Sequence, residues 1–158
     1  MVQINSTLTL ENFHMTDKNQ WAYAASQTVS THVGNMFNPV FMFGETGTGK
    51  THLLHAIANE VLKVEESKKI HFYEASQFTA EFLIGLVGEE MDLLLVDDLQ
   101  DLPKDKGVEE AFLLLLNHAH KQNKQIVLTA NKIAEQLDHL NERLVSRYRS
   151  GLTIEITK

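Results

Sequence analysis

The run Gly44-Glu45-Thr46-Gly47-Thr48-Gly49-Lys50-Thr51 constrains this chain more than any other stretch. It reads G-x-x-x-x-G-K-T, the P-loop pattern. An apolar segment at residues 38–43 precedes it with the look of a short buried strand. A helical pattern at residues 52–62 follows, with Leu53, Leu54, Ala56, Ile57, Val61 and Leu62 on one broad face. Strand, Gly-rich turn and helix are the setting in which this pattern cradles phosphate. Glycines let backbone N–H groups turn inward and approach phosphate oxygens closely. The helix start adds free N–H groups and the positive end of its dipole. Lys50 brings a point charge for the β and γ phosphates, and the Thr51 hydroxyl can ligate Mg²⁺. The rival reading, a Gly-rich turn that holds nothing, is disfavoured by both flanks.

The rest of the chain alternates strands and helices. Further strands are predicted at residues 70–74, 91–98, 124–131 and 151–157. Helices are predicted at 20–33, with Asp17 as its N-cap and Trp21, Ala24, Ala25, Val29 and Val33 at helical spacing, and at 77–86, with Ser76 as its N-cap. Others follow at 107–121, 133–136 and 141–148. Such alternation implies an α/β fold: a five-stranded, mostly parallel sheet with helices on both faces. The 158 residues suffice for one domain, with residues 1–37 as an N-terminal segment and helix and 38–158 as the P-loop core.

Composition excludes several functions. No cysteine is present, so disulfides, Cys-ligated zinc and a thiol nucleophile are ruled out. No apolar run reaches membrane-spanning length, and the first residues lack the pattern of a signal peptide. These features suit the cytoplasm and give no reason to expect a membrane partner. The formal net charge of −7 argues against a module that grips DNA by neutralising many phosphates, so strong DNA contact is not expected of this chain alone.

Ligands of parallel α/β sheets sit at the carboxyl ends of the strands. Three polar endings should therefore converge: the P-loop, Asp97-Asp98 and Asn131. Asp97 closes a buried apolar strand, where P-loop enzymes place a carboxylate near Mg²⁺. Asp98 is a candidate to orient or deprotonate an attacking water, though aspartate has a shorter reach than glutamate. Asn131 can donate to a γ-phosphate and accept from that water. Each has a plainer reading as a turn former or loop residue. Arg143 and Arg147 lie four apart on one helix face. They are either a solvated basic face or an arginine finger for a neighbouring subunit's γ-phosphate. The eight histidines form no metal-ligand set and read as packing or surface positions.

With these residues assembled, nearly the whole chain resembles the ATPase domain of the DnaA family, bacterial replication initiators of the AAA+ class with a RecA-like core. The likeness runs through Thr9-Leu10-Glu11-Asn12-Phe13, Asn19-Gln20, the segment from Asn38 to Ile57, Leu94 to Gln100 (the Walker B strand), Lys124 to Thr129 (the first-sensor strand) and Glu142 to Leu152. It implies ATP/ADP and Mg²⁺ as ligands. Phe13, Asn19 and His52 would join Gly44 to Thr51 (the Walker A loop) around the nucleotide. Thr51 and Asp97 would serve the metal, and Lys50, Asp98, Asn131 and Arg147 would carry catalysis. It further implies slow ATP hydrolysis and self-assembly, with Arg147, and Arg143 beside it, reaching a neighbour's nucleotide. Partners would be replication proteins: an initiator, a helicase or a clamp.

The departures from that pattern carry information too. The family's paired-helix insertion before the Walker B strand has no room in residues 77–90, which hold one ordinary helix. The helical lid and the DNA-reading domain are expected to be absent from these residues, which would weaken ATP binding. Three alternatives stand beside an initiator-like assembly switch. One is an accessory or loader factor resembling Hda or DnaC, another is an interaction module that binds nucleotide poorly, and the third is a transposase-associated ATPase, which the residues around Arg147 disfavour.

Overall fold

Leu93 and Leu95 of strand β3 (Leu93–Asp97) pack on one face of the sheet, and Leu94 and Val96 pack on the other. All four are fully buried. A strand that is apolar on both sides needs helices on both sides, and the computed structural model supplies them. It describes residues 1–157; Lys158, the end of the expected domain, lies outside them. The other strands are β1 (Val40–Phe43), β2 (Ile70–Glu74), β4 (Gln125–Ala130) and β5 (Leu152–Glu155). They form one five-stranded sheet in the order β2-β3-β4-β1-β5. Every neighbouring pair is parallel, so the sheet is wholly rather than mostly parallel.

Helices α1 (Gln20–Thr31) and α2 (Lys50–Val64) cover one face. Helices α3 (Ala80–Val87), α4 (Lys106–Lys121) and α5 (Glu142–Tyr148) cover the other. Each large aliphatic side chain buried this way stabilises the fold by about 1.5–3 kcal/mol. The first core centres on Val40, Met42, Leu53, Leu54 and Ile57. The second centres on Phe41, Phe112, Leu115, Leu128 and Tyr148.

The N-terminal segment is bound across α2 by polar contacts. Val2 N–H donates to the Phe72 carbonyl at 2.7 Å, on the free edge of β2. Asn59 Nδ2 donates to the carbonyls of Asn5 and Leu8, at 2.9 and 2.8 Å. His55 Nδ1 accepts from the Asn5 N–H at 3.0 Å. His52 Nε2 lies 2.8 Å from the Thr9 carbonyl oxygen and must carry the proton there, since a carbonyl only accepts.

Several local expectations are corrected. The residue before α1 is Asn19, not Asp17, and its side chain is turned back to hold residues 14–16 rather than to cap the helix. Trp21 is 73% exposed, so the apolar face of α1 is carried by Ala22, Ala25 and Val29. Residues Ala75–Gln77 form a 3₁₀ turn, so α3 begins later than expected. Its cap is Thr79, whose hydroxyl accepts the Phe82 N–H at 3.1 Å, rather than Ser76. The segment expected as a helix at 133–136 is also a 3₁₀ turn, Ala134–Gln136. A single α-helix, α3, lies between β2 and β3, as the length of that segment requires.

Candidate nucleotide-binding site

The loop leaving β1 is shaped by glycine at two points. A Cβ on Gly44 would lie 2.1 Å from the Ile156 carbonyl oxygen, so the chain leaving β5 can approach only a residue without one. Gly49 has φ +103, a conformation that L side chains rarely adopt, and it places α2 directly behind the loop. Lys50 then opens α2 with its ammonium turned into the loop. It donates to the Gly44 carbonyl at 2.5 Å, the Glu45 carbonyl at 2.8 Å and Thr48 Oγ1 at 3.3 Å. Burial lowers its pKa below the usual lysine range, while the charges of Asp98 and Asp97 oppose that shift. A cation held by neutral oxygens, inside a loop whose N–H groups sit at a helix start, is suited to polyanionic phosphate.

The acids arrive from β3 as expected, with a connection the sequence did not disclose. Thr51 Oγ1 donates to Asp97 Oδ2 at 2.7 Å. The other carboxylate oxygen, Oδ1, accepts from Thr129 Oγ1 on β4. Asp97 is therefore bridged between the first turn of α2 and the middle of the sheet. Burial raises its pKa above the ordinary carboxylate range; the hydrogen bonds from Thr129 and Thr51 and the charge of Lys50 pull the other way, and Asp98 adds to the rise. Asp98 itself stands in the left-handed region at φ 59 and ψ 60. Its side chain accepts from Gln100 Nε2 at 3.2 Å. Gln100 Oε1 in turn accepts the Asn131 N–H at 3.0 Å. The Asn131 side chain is exposed at the same sheet edge. Thr129 and Gln100 are thus parts of the site that sequence reasoning missed.

Thr51 and Asp97 fit a magnesium ion, being a hydroxyl and a carboxylate already in contact. No group of three or more His, Cys, Asp or Glu able to hold a metal occurs among the described residues. Mg²⁺ suits such a site, since it commonly takes few protein ligands and fills its octahedron with phosphate oxygens and water.

Beside the loop, a cavity of about 350 Å³ is lined by Phe13, His14, Thr16, Asn19, Gly47, Thr48, Gly49, His52 and Thr157. The Phe13 ring meets His52 edge-on with centroids 5.1 Å apart and stacks with Tyr23 at 6.0 Å. Asn19 shapes the wall, accepting the Thr16 N–H at 2.7 Å and donating to the His14 carbonyl at 3.1 Å. Phe13, Asn19 and His52 therefore gather next to the P-loop. The size and mixed lining suit a purine base and ribose.

Arg143 and Arg147 stand apart from this group. Both lie on α5, across the sheet from α2. Arg147 Nε donates to Asn117 Oδ1 of α4 at 2.8 Å. Neither arginine pairs with an acid among the described residues, whereas Arg149 lies 3.5 Å from Glu135.

Fold and site together define the class as a P-loop nucleotide-binding core. Comparison with known proteins narrows it. The profile described as the bacterial DnaA ATPase domain matches residues 4–155, and the chain belongs to that family. It is 42% identical to the chromosomal replication initiator protein DnaA of Streptococcus pyogenes, over 98% of this chain and 37% of that protein. It resembles the crystal structure of domain III of the Thermotoga maritima initiator DnaA, with a TM-score of 0.90 and 31% identity, over 98% of this chain and 69% of that one. A replication initiator DnaA bound to AMPPCP and single-stranded DNA matches with a TM-score of 0.88 and 33% identity, over 97% of this chain and 50% of that one. The chain thus spans well under half the length of the curated relatives it matches. No helix among the described residues is long and apolar enough to cross a membrane.

Proposed function

We propose that this chain is an ATP-binding AAA+ core that acts as a nucleotide-dependent assembly switch in the initiation or regulation of DNA replication. The observation that carries the reading is the 2.7 Å contact between Thr51 and Asp97 beside the Lys50 cradle, since it joins the phosphate loop to the acid of β3. ATP is the substrate. Its phosphates lie along Gly44–Thr51 with Lys50 as the counter-charge, and its base and ribose occupy the cavity beside Phe13, Asn19 and His52. Thr51 and Asp97 would hold Mg²⁺, which would supply positive charge to offset that of the phosphates. Asp98 accepts a proton from the attacking water, and Asn131 sits where an amide can orient that water. Hydrolysis is slow and resets the switch. A relative carrying an ATP analogue, AMPPCP, supports adenine nucleotide as the ligand.

Arg147, with Arg143 beside it, reaches the γ-phosphate of a neighbouring copy. Its support is the uncommitted charge of both side chains. Other replication proteins in the cytoplasm, such as an initiator, helicase or clamp, are the expected partners. The short α3 between β2 and β3 favours a second reading, an accessory or loader factor that acts through such proteins.

Titration calorimetry with ATP and ADP tests the nucleotide reading, and sedimentation with each nucleotide tests the switch. Lys50→Ala should lose nucleotide binding by about a hundredfold or more, since it removes a charge-assisted contact from a buried site. Unchanged affinity in that variant would sink the P-loop assignment. Equal sedimentation with ATP and ADP would sink the switch.

A further inference from the structure

One buried charge has no part in the nucleotide site. Glu109 lies on α4 and is 1% exposed. Carboxylates are seldom fully buried unless they are paired or hydrogen-bonded. Glu109 has two backbone partners, both at the start of α5. Its Oε2 accepts the Leu140 N–H at 3.0 Å, and its Oε1 accepts the Asn141 N–H at 2.9 Å. Asn141 is the N-cap of α5, and its own side chain accepts the Arg143 N–H at 2.9 Å. Two turns further along α4, Asn117 holds Arg147 Nε. One helix thus grips both ends of α5. Seven residues are too few for α5 to hold its place by its own hydrogen bonds.

We infer that Glu109 is a positioning residue: its carboxylate docks α5 on α4 and thereby presents Arg147 to the nucleotide bound by a second copy of this chain. The inference rests on the proposed role of Arg147. Glu109→Gln keeps the size of the side chain but turns one acceptor into a donor that faces an N–H group. Loss of a charged hydrogen bond of this kind weakens what depends on it by roughly tenfold or more.

The test is sedimentation with ATP, using single variants and pairs. Glu109→Gln should keep its own ATP affinity within about twofold, because its P-loop is untouched, and should assemble roughly tenfold more weakly than the unmodified chain. Amide hydrogen exchange across residues 140–148 should quicken by a similar factor. Pairing separates the two sides of a junction. Lys50→Ala offers an arginine but no nucleotide, so Lys50→Ala mixed with Glu109→Gln should restore one ATP-dependent junction. Glu109→Gln mixed with Arg147→Ala should restore none. If Glu109→Gln does not fold, Glu109→Asp, which keeps the charge but withdraws it by one methylene, goes through the same series. Normal self-assembly of the Glu109 variant overturns the inference and leaves the switch reading standing, as does failure of the mixture with Lys50→Ala. Normal assembly of Arg147→Ala, or no ATP-dependent assembly of the unmodified chain, overturns the arginine reading and this inference with it.

Discussion

The backbone N–H of Asp98 donates to Thr129 Oγ1 at 2.9 Å, and that contact decides which way the hydroxyl points. An oxygen that accepts from Asp98 has one proton left to give, and it goes to Asp97. A single threonine on β4 therefore holds the carboxylate of one acid and the backbone of the next. Its β-sheet register places it beside Met42, at the root of the P-loop.

Thr129→Val keeps the shape and removes both bonds. It leaves a part-buried N–H and a buried carboxylate oxygen unpartnered, which should cost about 1–3 kcal/mol of stability. Hydrolysis should fall by about tenfold or more while ATP affinity stays within about threefold, because the loop itself is unchanged. Thr129→Ser should recover most of the rate. Phosphate release and calorimetry on the three proteins decide the matter; a valine variant that hydrolyses normally would remove Thr129 from the mechanism.

Gly49→Ala places a methyl where none fits. The added Cβ would stand 2.8 Å from Phe13 Cε1, at a backbone φ of +103. The strain should cost about 1–3 kcal/mol and push Phe13 out of the cavity wall. Thermal melting should show the loss, and ATP affinity should drop by about tenfold. An unshifted melting midpoint would mean that the loop and Phe13 do not touch in solution.

Arg147→Ala should leave the melting midpoint and ATP affinity nearly unchanged. The one bond it loses, to Asn117, is exposed and contributes no more than about 1 kcal/mol. ATP-dependent assembly should disappear. Sedimentation with ATP checks this directly.

His55 should make stability depend on pH. Burial lowers its pKa below the ordinary histidine value of 6.5, against the opposing charge of Asp97, with His52 adding to the drop. Its Nδ1 also accepts the Asn5 N–H, which a protonated ring cannot do. Below pH 6.5 the unfolded chain takes up a proton that the folded imidazole refuses, so stability falls as pH falls. Above pH 6.5 the contribution is complete. His139, shifted the same way by burial against the charge of Glu109, adds to the slope. His55→Leu should therefore flatten the melting curve between about pH 7.5 and 5.5 without abolishing its slope. Identical slopes would show that His55 is solvated.

The sequence disclosed whatever depends on local pattern. Glycine spacing marked the loop, and an unbroken apolar run ending in Asp97-Asp98 marked the strand beside it. Residues whose role depends on a distant partner stayed hidden. Thr129 sits in a β-strand where threonine is an ordinary β-former, so nothing set it apart. Gln100 follows the acids like any loop amide. Glu109 was not singled out, because helical periodicity cannot foresee that α5 will dock there. The start of α3 was misplaced for a related reason. Ser76 and Thr79 are both acceptable caps, and the 3₁₀ turn at Ala75–Gln77 chooses between them. Asp17 is not the N-cap: α1 starts after Asn19, whose side chain is engaged by the turn at residues 14–16 and makes no cap bond.

The strand order has a consequence for how the site comes into being. β1, which carries the phosphate loop, pairs with β4 and β5 and with neither β2 nor β3. Val40 faces Val127 on one side and Leu152 on the other. During synthesis the loop, Lys50 and both acids all emerge before the first neighbour of β1 exists. Long-range parallel pairing of this kind is slow, because loop closure comes before any pairing energy is gained. The nucleotide cradle is therefore among the last parts of this core to be completed, although its residues are made before those of β4 and β5. A chain ended just before Gln125 contains every residue of the loop and should bind no ATP, a result that equilibrium binding to the truncated chain can check.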